Sequence, residues 1–189
     1  DGRGELLGEF KPNDRLLIIQ QSGKVKTIIP ELTTHFDEDM IVLEKWSPKK
    51  PISAIYFEGE KEKYFVKRFL IENENKEDVF ITEHPKSQVE IVATDYRPVA
   101  EVIFSKVKGV QKETQKIDFE SFISVKGIKA LGNQLTADKI KQVNLLQPLP
   151  FEIPEEVSLE EKEVIDVIEI DPTTSLGEDG QINLFLEED

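Results

Sequence analysis

Four pairs of basic residues stand where strands would turn: Lys24 and Lys26, Lys67 and Arg68, Lys106 and Lys108, Lys126 and Lys129. Ammonium and guanidinium groups in short pairs suit phosphate contact and poorly suit covalent chemistry. Alternating residues on a strand share a face, so each such pair can address one phosphate track. The fullest case is residues 118–135, DFESFISVKGIKALGNQL. There a hydrophobic strand signal (Phe119, Phe122, Ile123, Val125) runs into a turn with two glycines and two lysines. Such a turn is expected to present backbone and ammonium groups at a surface. The competing reading makes the same lysines edge-strand and surface solubilisers.

Other chemistry finds little support. His35 and His84 are the only histidines, and each sits on a turn-like segment that reads as surface. No Ser-His-Asp signature, metal-ligand spacing or phosphate-cradling glycine loop is present, and Gly127 and Gly132 lack the P-loop pattern. The chain has no cysteine, hence no disulfide framework and no thiolate zinc site. No apolar run approaches the roughly 18 residues that span a membrane. A cofactor is not expected in this region.

The elements that must position the lysines read as strands. Runs at 16–19, 24–29, 40–45, 53–58, 64–71, 79–82, 89–94 and 100–106 are rich in Val, Ile and Phe. Turn residues separate them at roughly 8–12 residue intervals, the spacing of an all-β array. Residues 136–146 are open to two readings, a helix capped by Thr136 or a last strand. Trp46 reads as core or edge packing. A coarse repeat of about 50 residues opens at Asp14, Lys63 and Asp118, near the length of a propeller-type repeat. About three such blocks fit in residues 1–150. A closed propeller takes about 4–8 blades, so a partial array is expected. The opening DGRGELLGEF reads as the end of a preceding block, so the array is expected to be truncated at its start.

Charge divides the chain. The net charge is −14. Residues 151–189 hold 14 Asp and Glu against one Lys, whereas residues 1–150 hold 24 acids against 23 bases. Residues 102–141 alone hold eight Lys against four acids. A near-neutral body with local basic patches and an acidic tail suggests a polyanion-binding body. The tail opens at Pro148-Leu149-Pro150; 158–170 has the makings of a weak helix, and 172–180 is turn-rich. Most of 151–189 is expected to be disordered, since high charge and few aromatics leave little surface to bury. It either extends into solvent or competes with a polyanion for the basic face.

The runs SFISVKGIKALGNQLT and DRLLIIQQSGKVKTI, with the terminal GEDGQINLF, resemble the C-terminal region of the A subunit of bacterial topoisomerase IV, to which the A subunit of gyrase is the close relative. The resemblance covers most of residues 1–150. It implies a β-pinwheel, a disc of antiparallel blades whose basic rim binds and bends duplex DNA. It also implies a parent type IIA enzyme, cytoplasmic and nucleoid-associated, that passes one duplex through another. There ATP and Mg are used elsewhere, ATP by the partner B subunit of topoisomerase IV. The glutamine-arginine-glycine-rich box of gyrase-type domains is absent from this sequence, which favours decatenation and relaxation over gyrase-like wrapping. Tyr56, Tyr64 and Tyr96 lack the arginine-tyrosine context of the family's cleaving residue, so no catalytic residue is expected here. Gln181, Leu184 and Phe185 resemble the short peptide by which replication proteins dock on the DNA sliding clamp. The runner-up is therefore a propeller-like protein-interaction module with a clamp-docking tail.

Overall fold

The computed structural model describes residues 7–31 and 35–152. The chain divides into two units, Asp1–Phe151 and Glu152–Asp189. The architecture below is that of the first. The expectations placed on 158–170, Gln181, Leu184 and Phe185 lie outside the described residues.

The fold is all-β, in three antiparallel sheets. Each is built on a hairpin whose first strand also takes a third strand on its other side. The first sheet joins β1 (Leu16–Gln20), β2 (Lys24–Ile28) and β3 (Met40–Lys45). The second joins β4 (Ile52–Glu58), β5 (Lys63–Phe69) and, after β6 (Asp78–Val79), β7 (Gln88–Ala93). The third joins β8 (Val99–Phe104), β9 (Gln115–Asp118) and β11 (Ile140–Leu145), with α1 (Phe119–Phe122) and β10 (Asn133–Gln134) between the last two. Among the described residues no sheet closes into a barrel or ring.

The two shortest strands leave their own module. β6 follows β5 in sequence but pairs with β2, through Lys24↔Val79 and Val25↔Asp78. β10 follows β9 but pairs with β5, through Asn133↔Val66 and Gln134↔Phe65. The first two sheets thus read β3-β1-β2-β6 and β10-β5-β4-β7, each completed by a strand lent from the module that comes next. The third, β11-β8-β9, has three strands.

Strand alternation places the core. Ile52, Ala54 and Tyr56 of β4 pack with Leu17, Ile19 and Val25 of the first sheet, whereas Ile55 and Val66 pack with Ala100, Val102 and Phe104 of the third. The middle sheet is therefore covered on both faces, which is why β4 reads as a nearly continuous apolar run and why β5 is buried from Phe65 to Phe69, Lys67 and Arg68 included. Lent segments supply core on both sides: Phe80 and Ile81 follow β6, and Leu135 follows β10. Trp46 is partly buried against the first cluster.

Several expectations are corrected. The strand predicted over Phe119, Phe122 and Ile123 is a single helical turn. Asp118 caps it, accepting from the Glu120 amide at 3.2 Å, and the Ile123 amide donates to the Phe119 carbonyl at 3.1 Å. The i, i+3, i+4 spacing of these three residues behind an Asp is a helical pattern, which their β propensity masks. Residues 136–146 resolve to a strand, β11. The repeat also changes phase. Asp14 precedes the first strand of a hairpin, Lys63 opens a second strand, and Asp118 ends one. The equivalent starts are Leu16, Ile52 and Val99.

Asp118 has a second task. Its Oδ2 accepts from Arg97 at 2.8 Å and from Ser121 at 2.9 Å. Burial pushes its carboxyl up, but the Arg97 and Ser121 hydrogen bonds outweigh that and hold it below the usual aspartate value. Asp118→Ala is expected to cost about 1–2 kcal/mol, a lost cap plus charge-assisted hydrogen bonds. The folded carboxyl holds its proton less tightly than the unfolded one. Its contribution is therefore full at neutral pH and is lost as pH falls through the depressed value. Urea midpoints of wild type and variant should converge in acid; a gap that persists there refutes this account.

Candidate nucleic-acid interface

The lysines of β2 stand on one side of their strand. Val25 and Thr27 turn inward, while Lys24 and Lys26 both reach Glu77, at 3.4 Å each. Glu77 immediately precedes β6, so the lent strand brings an acid to the basic face of β2. Its neighbour Asp78 receives Lys76 at 3.6 Å and Lys129 at 3.3 Å. Lys129 also donates to the Val79 carbonyl at 3.1 Å. Four lysines from three parts of the chain (Lys24, Lys26, Lys76, Lys129) thus surround the Glu77-Asp78 dipeptide. All four are at least partly exposed; within these ion pairs four ammonium groups meet two carboxylates, and Glu72 and Glu74 lie on the adjoining loop. Lys76 was missed by sequence reasoning. The acidic run around it, ENENKEDV, hides it, and only the pairing of β6 with β2 reveals its place.

Lys67 and Arg68 are corrected: both are buried, at 3% and 8% exposure. Lys67 points to the face of β5 that carries Phe65 and Phe69. Its Nζ donates to the Phe80 carbonyl and, at 2.7 Å, to the Ile128 carbonyl. The Phe69 and Phe80 rings lie 5.7 and 6.0 Å away. Burial, with a smaller contribution from the Lys129 charge, pushes its ammonium down to about 8. Arg68 donates to the Tyr96 carbonyl at 3.0 Å. Neither side chain is free to meet a phosphate in this conformation. Their setting within Tyr64, Phe65, Val66, Phe69 and Leu70 was the available signal.

The segment 126–135 is also not the open basic turn its composition suggests. It is a strap laid along β5. The Lys126 amide donates to the Arg68 carbonyl at 2.9 Å and the Ile128 amide to Glu72 at 3.1 Å. Ile128 is buried in the first core cluster, and Tyr56 donates its hydroxyl to the Leu131 carbonyl at 2.8 Å. The strap's backbone donors thus face inward. Its ammonium groups remain outside, Lys126 bonding Asn133 at 3.0 Å and Lys129 reaching β6.

Lys106 and Lys108 lie apart from the Glu77-Asp78 cluster, on the loop joining β8 to β9. Both are exposed, and among the described residues no ion pair or hydrogen bond engages either ammonium. His35 is exposed, and His84 accepts from the Lys86 amide at 3.1 Å within its own turn.

Stacked antiparallel sheets that exchange strands and carry lysine clusters at their turns define an all-β repeat module. A family model described as Topoisomerase C-terminal domain, Bacteroidota, matches residues 1–147. The chain belongs to this family of bacterial topoisomerase C-terminal domains. No curated protein matches it. Among the described residues no helix is long and apolar enough to cross a membrane.

Proposed function

We propose that residues 1–150 form a β-pinwheel that binds and bends duplex DNA without reading its sequence, as the C-terminal domain of the A subunit of a topoisomerase IV. The observation that carries this reading is the gathering of Lys24, Lys26, Lys76 and Lys129 around one dipeptide, in a chain of the topoisomerase C-terminal family. Ammonium groups held by strand pairing fix a duplex by its phosphates and carry no base information. In the cytoplasm the domain would present DNA to the strand-passage machinery, where the B subunit hydrolyses ATP with Mg. The missing glutamine-arginine-glycine box supports the topoisomerase IV role over gyrase-type wrapping. Residues 151–189 form the acidic tail, with Gln181, Leu184 and Phe185 as a docking peptide for the sliding clamp.

A salt series tests the reading. The slope of log K against log salt should be clearly negative, by about −0.9 per phosphate neutralised. Lys24→Gln with Lys26→Gln should weaken binding to all sequences alike and reduce that slope by roughly 2. Glu77→Gln frees both lysines from their shared acid and should tighten binding several-fold at low salt. A wild-type slope near zero, or no response to either change, overturns the proposal.

A further inference from the structure

The three hairpins end differently. The β4–β5 tip, Gly59-Glu60-Lys61-Glu62, is acidic and polar, and the β1–β2 turn is folded against Ile81 through Gly23. The β8–β9 loop instead presents Val107 and Val110, 56% and 70% exposed and the two most exposed large apolar side chains of that loop. They face each other across a two-residue turn, with Val107 and Val110 exchanging both backbone hydrogen bonds at 3.0 Å. The turn residues Lys108 and Gly109 have φ of 50° and 80°, the left-handed geometry of a tight hairpin. An added Cβ on Gly109 would meet nothing, so its backbone conformation and not crowding calls for glycine there.

Lysine is an uncommon choice in left-handed backbone, where Asn or Gly sits more easily. The acidic β4–β5 tip holds one other such residue, Glu62, also at φ of 50°. At the β8–β9 turn the side chain is an exposed ammonium with no partner among the described residues, carried in sequence between two exposed valines. The loop is also braced from behind. Gln111 donates to the Phe104 carbonyl at 2.9 Å, the Ser105 amide to the Lys139 carbonyl at 2.8 Å, and Lys112 pairs with Asp138. Residues 105–112, SKVKGVQK, hold three lysines and no acid. An apolar point between Lys106, Lys108 and Lys112, with Glu113 the nearest acid in sequence, is complementary to a polyanion that has an apolar interior. Duplex DNA is such a partner, since apolar side chains enter the minor groove and part a base step while flanking cations hold the phosphates.

We propose that the Val107–Val110 turn is a wedge that enters the minor groove of the bound duplex and levers it into a bend, with Lys106 and Lys108 on the flanking phosphates. This rests on the DNA-binding reading above and adds to it the point at which bending force is applied. Binding by phosphate contact and bending by the wedge are then separable. The Glu77-Asp78 lysines supply affinity, while the valines supply curvature.

The test uses the full chain and a duplex of about 30 base pairs carrying a donor and an acceptor dye at its ends, a length that resists bending unless forced. Wild type at saturation should raise energy transfer. Val107→Ser with Val110→Ser, read at its own saturating concentration, should lose at least half of that rise. Its salt slope and urea midpoint should stay unchanged, because both side chains lie outside the core. Lys108→Asn, which suits the same backbone, should instead reduce the salt slope by about 1 and keep most of the bend. A serine variant that bends DNA as wild type does overturns the wedge and leaves DNA binding standing; the valines would then belong to a protein contact. Wild type that binds no duplex at low salt overturns both readings.

Discussion

Replacing Gly132 by alanine is expected to lower the unfolding free energy by at least about 3 kcal/mol, among the larger effects a single methyl can have. Gly132 has φ of +91°, which alone costs an L-residue roughly 1–2 kcal/mol. The added Cβ would also lie 2.2 Å from the Val66 carbonyl oxygen and 2.9 Å from Lys67 Cγ. The first is backbone of β5, a strand hydrogen-bonded on both sides, so it cannot move aside cheaply. The strap would have to lift instead. That would release Asn133 and Gln134 from β5, pull Leu135 from the second core cluster and break its amide bond to the Tyr64 carbonyl. Urea unfolding should show a lower midpoint for Gly132→Ala. A midpoint within experimental scatter of wild type would show that the strap does not need this close approach.

The second large effect belongs to Lys67. Its amine is bonded to two carbonyls that arrive from opposite directions, Phe80 after β6 and Ile128 in the strap. Lys67→Met keeps the bulk and leaves both carbonyls without this donor, an expected loss of roughly 2–4 kcal/mol. The size depends on pH in a distinctive way. The folded group titrates near 8 against an ordinary 10.5. Below 8 both states hold the proton. Between the two values the unfolded chain holds a proton that the folded one has released, so stability rises with pH. A neutral amine still has two N–H donors, one for each carbonyl, so the bonds survive deprotonation. The gap between wild type and Lys67→Met should therefore widen by about 1 kcal/mol from pH 8 to pH 9. A gap that is constant or narrows would mean that the ammonium stays charged in the folded chain.

The longer strands were legible because burial of the middle sheet on both faces writes an apolar run into β4 and sets aromatic and aliphatic residues around the bases of β5, and a buried first strand gives an apolar run in β1. What escaped was short or borrowed. β10 is two residues long, and β6, equally short, was met only at Val79 by the strand read over 79–82; both depend on partners in another sheet. β9 is Gln-Lys-Ile-Asp, with Ile117 alone marking its inward face. The basic pairs were visible as residue types but not as environments. Lys24 and Lys26 sit on an alternating strand and share one side of it. Lys67 and Arg68 are adjacent, so they point to opposite faces of a strand buried on both. Alternation separates these cases, and charge alone does not. Lys76 and the acids beside it became part of the candidate interface only through the register of β6 on β2.

The exchange of edge strands sets the smallest piece that can stand alone. A fragment cut at the end of β5 would strip β2 of its outer neighbour, and one cut after α1 would do the same to β5. The first two repeats are each finished by the next, so excising the middle one would strip β2 of β6 and part β5 from β10. A break between β6 and β7 would keep β6 with β2 but part β7 from β4, so moving the cut into that connection divides the second sheet where a cut at the seam divides the first.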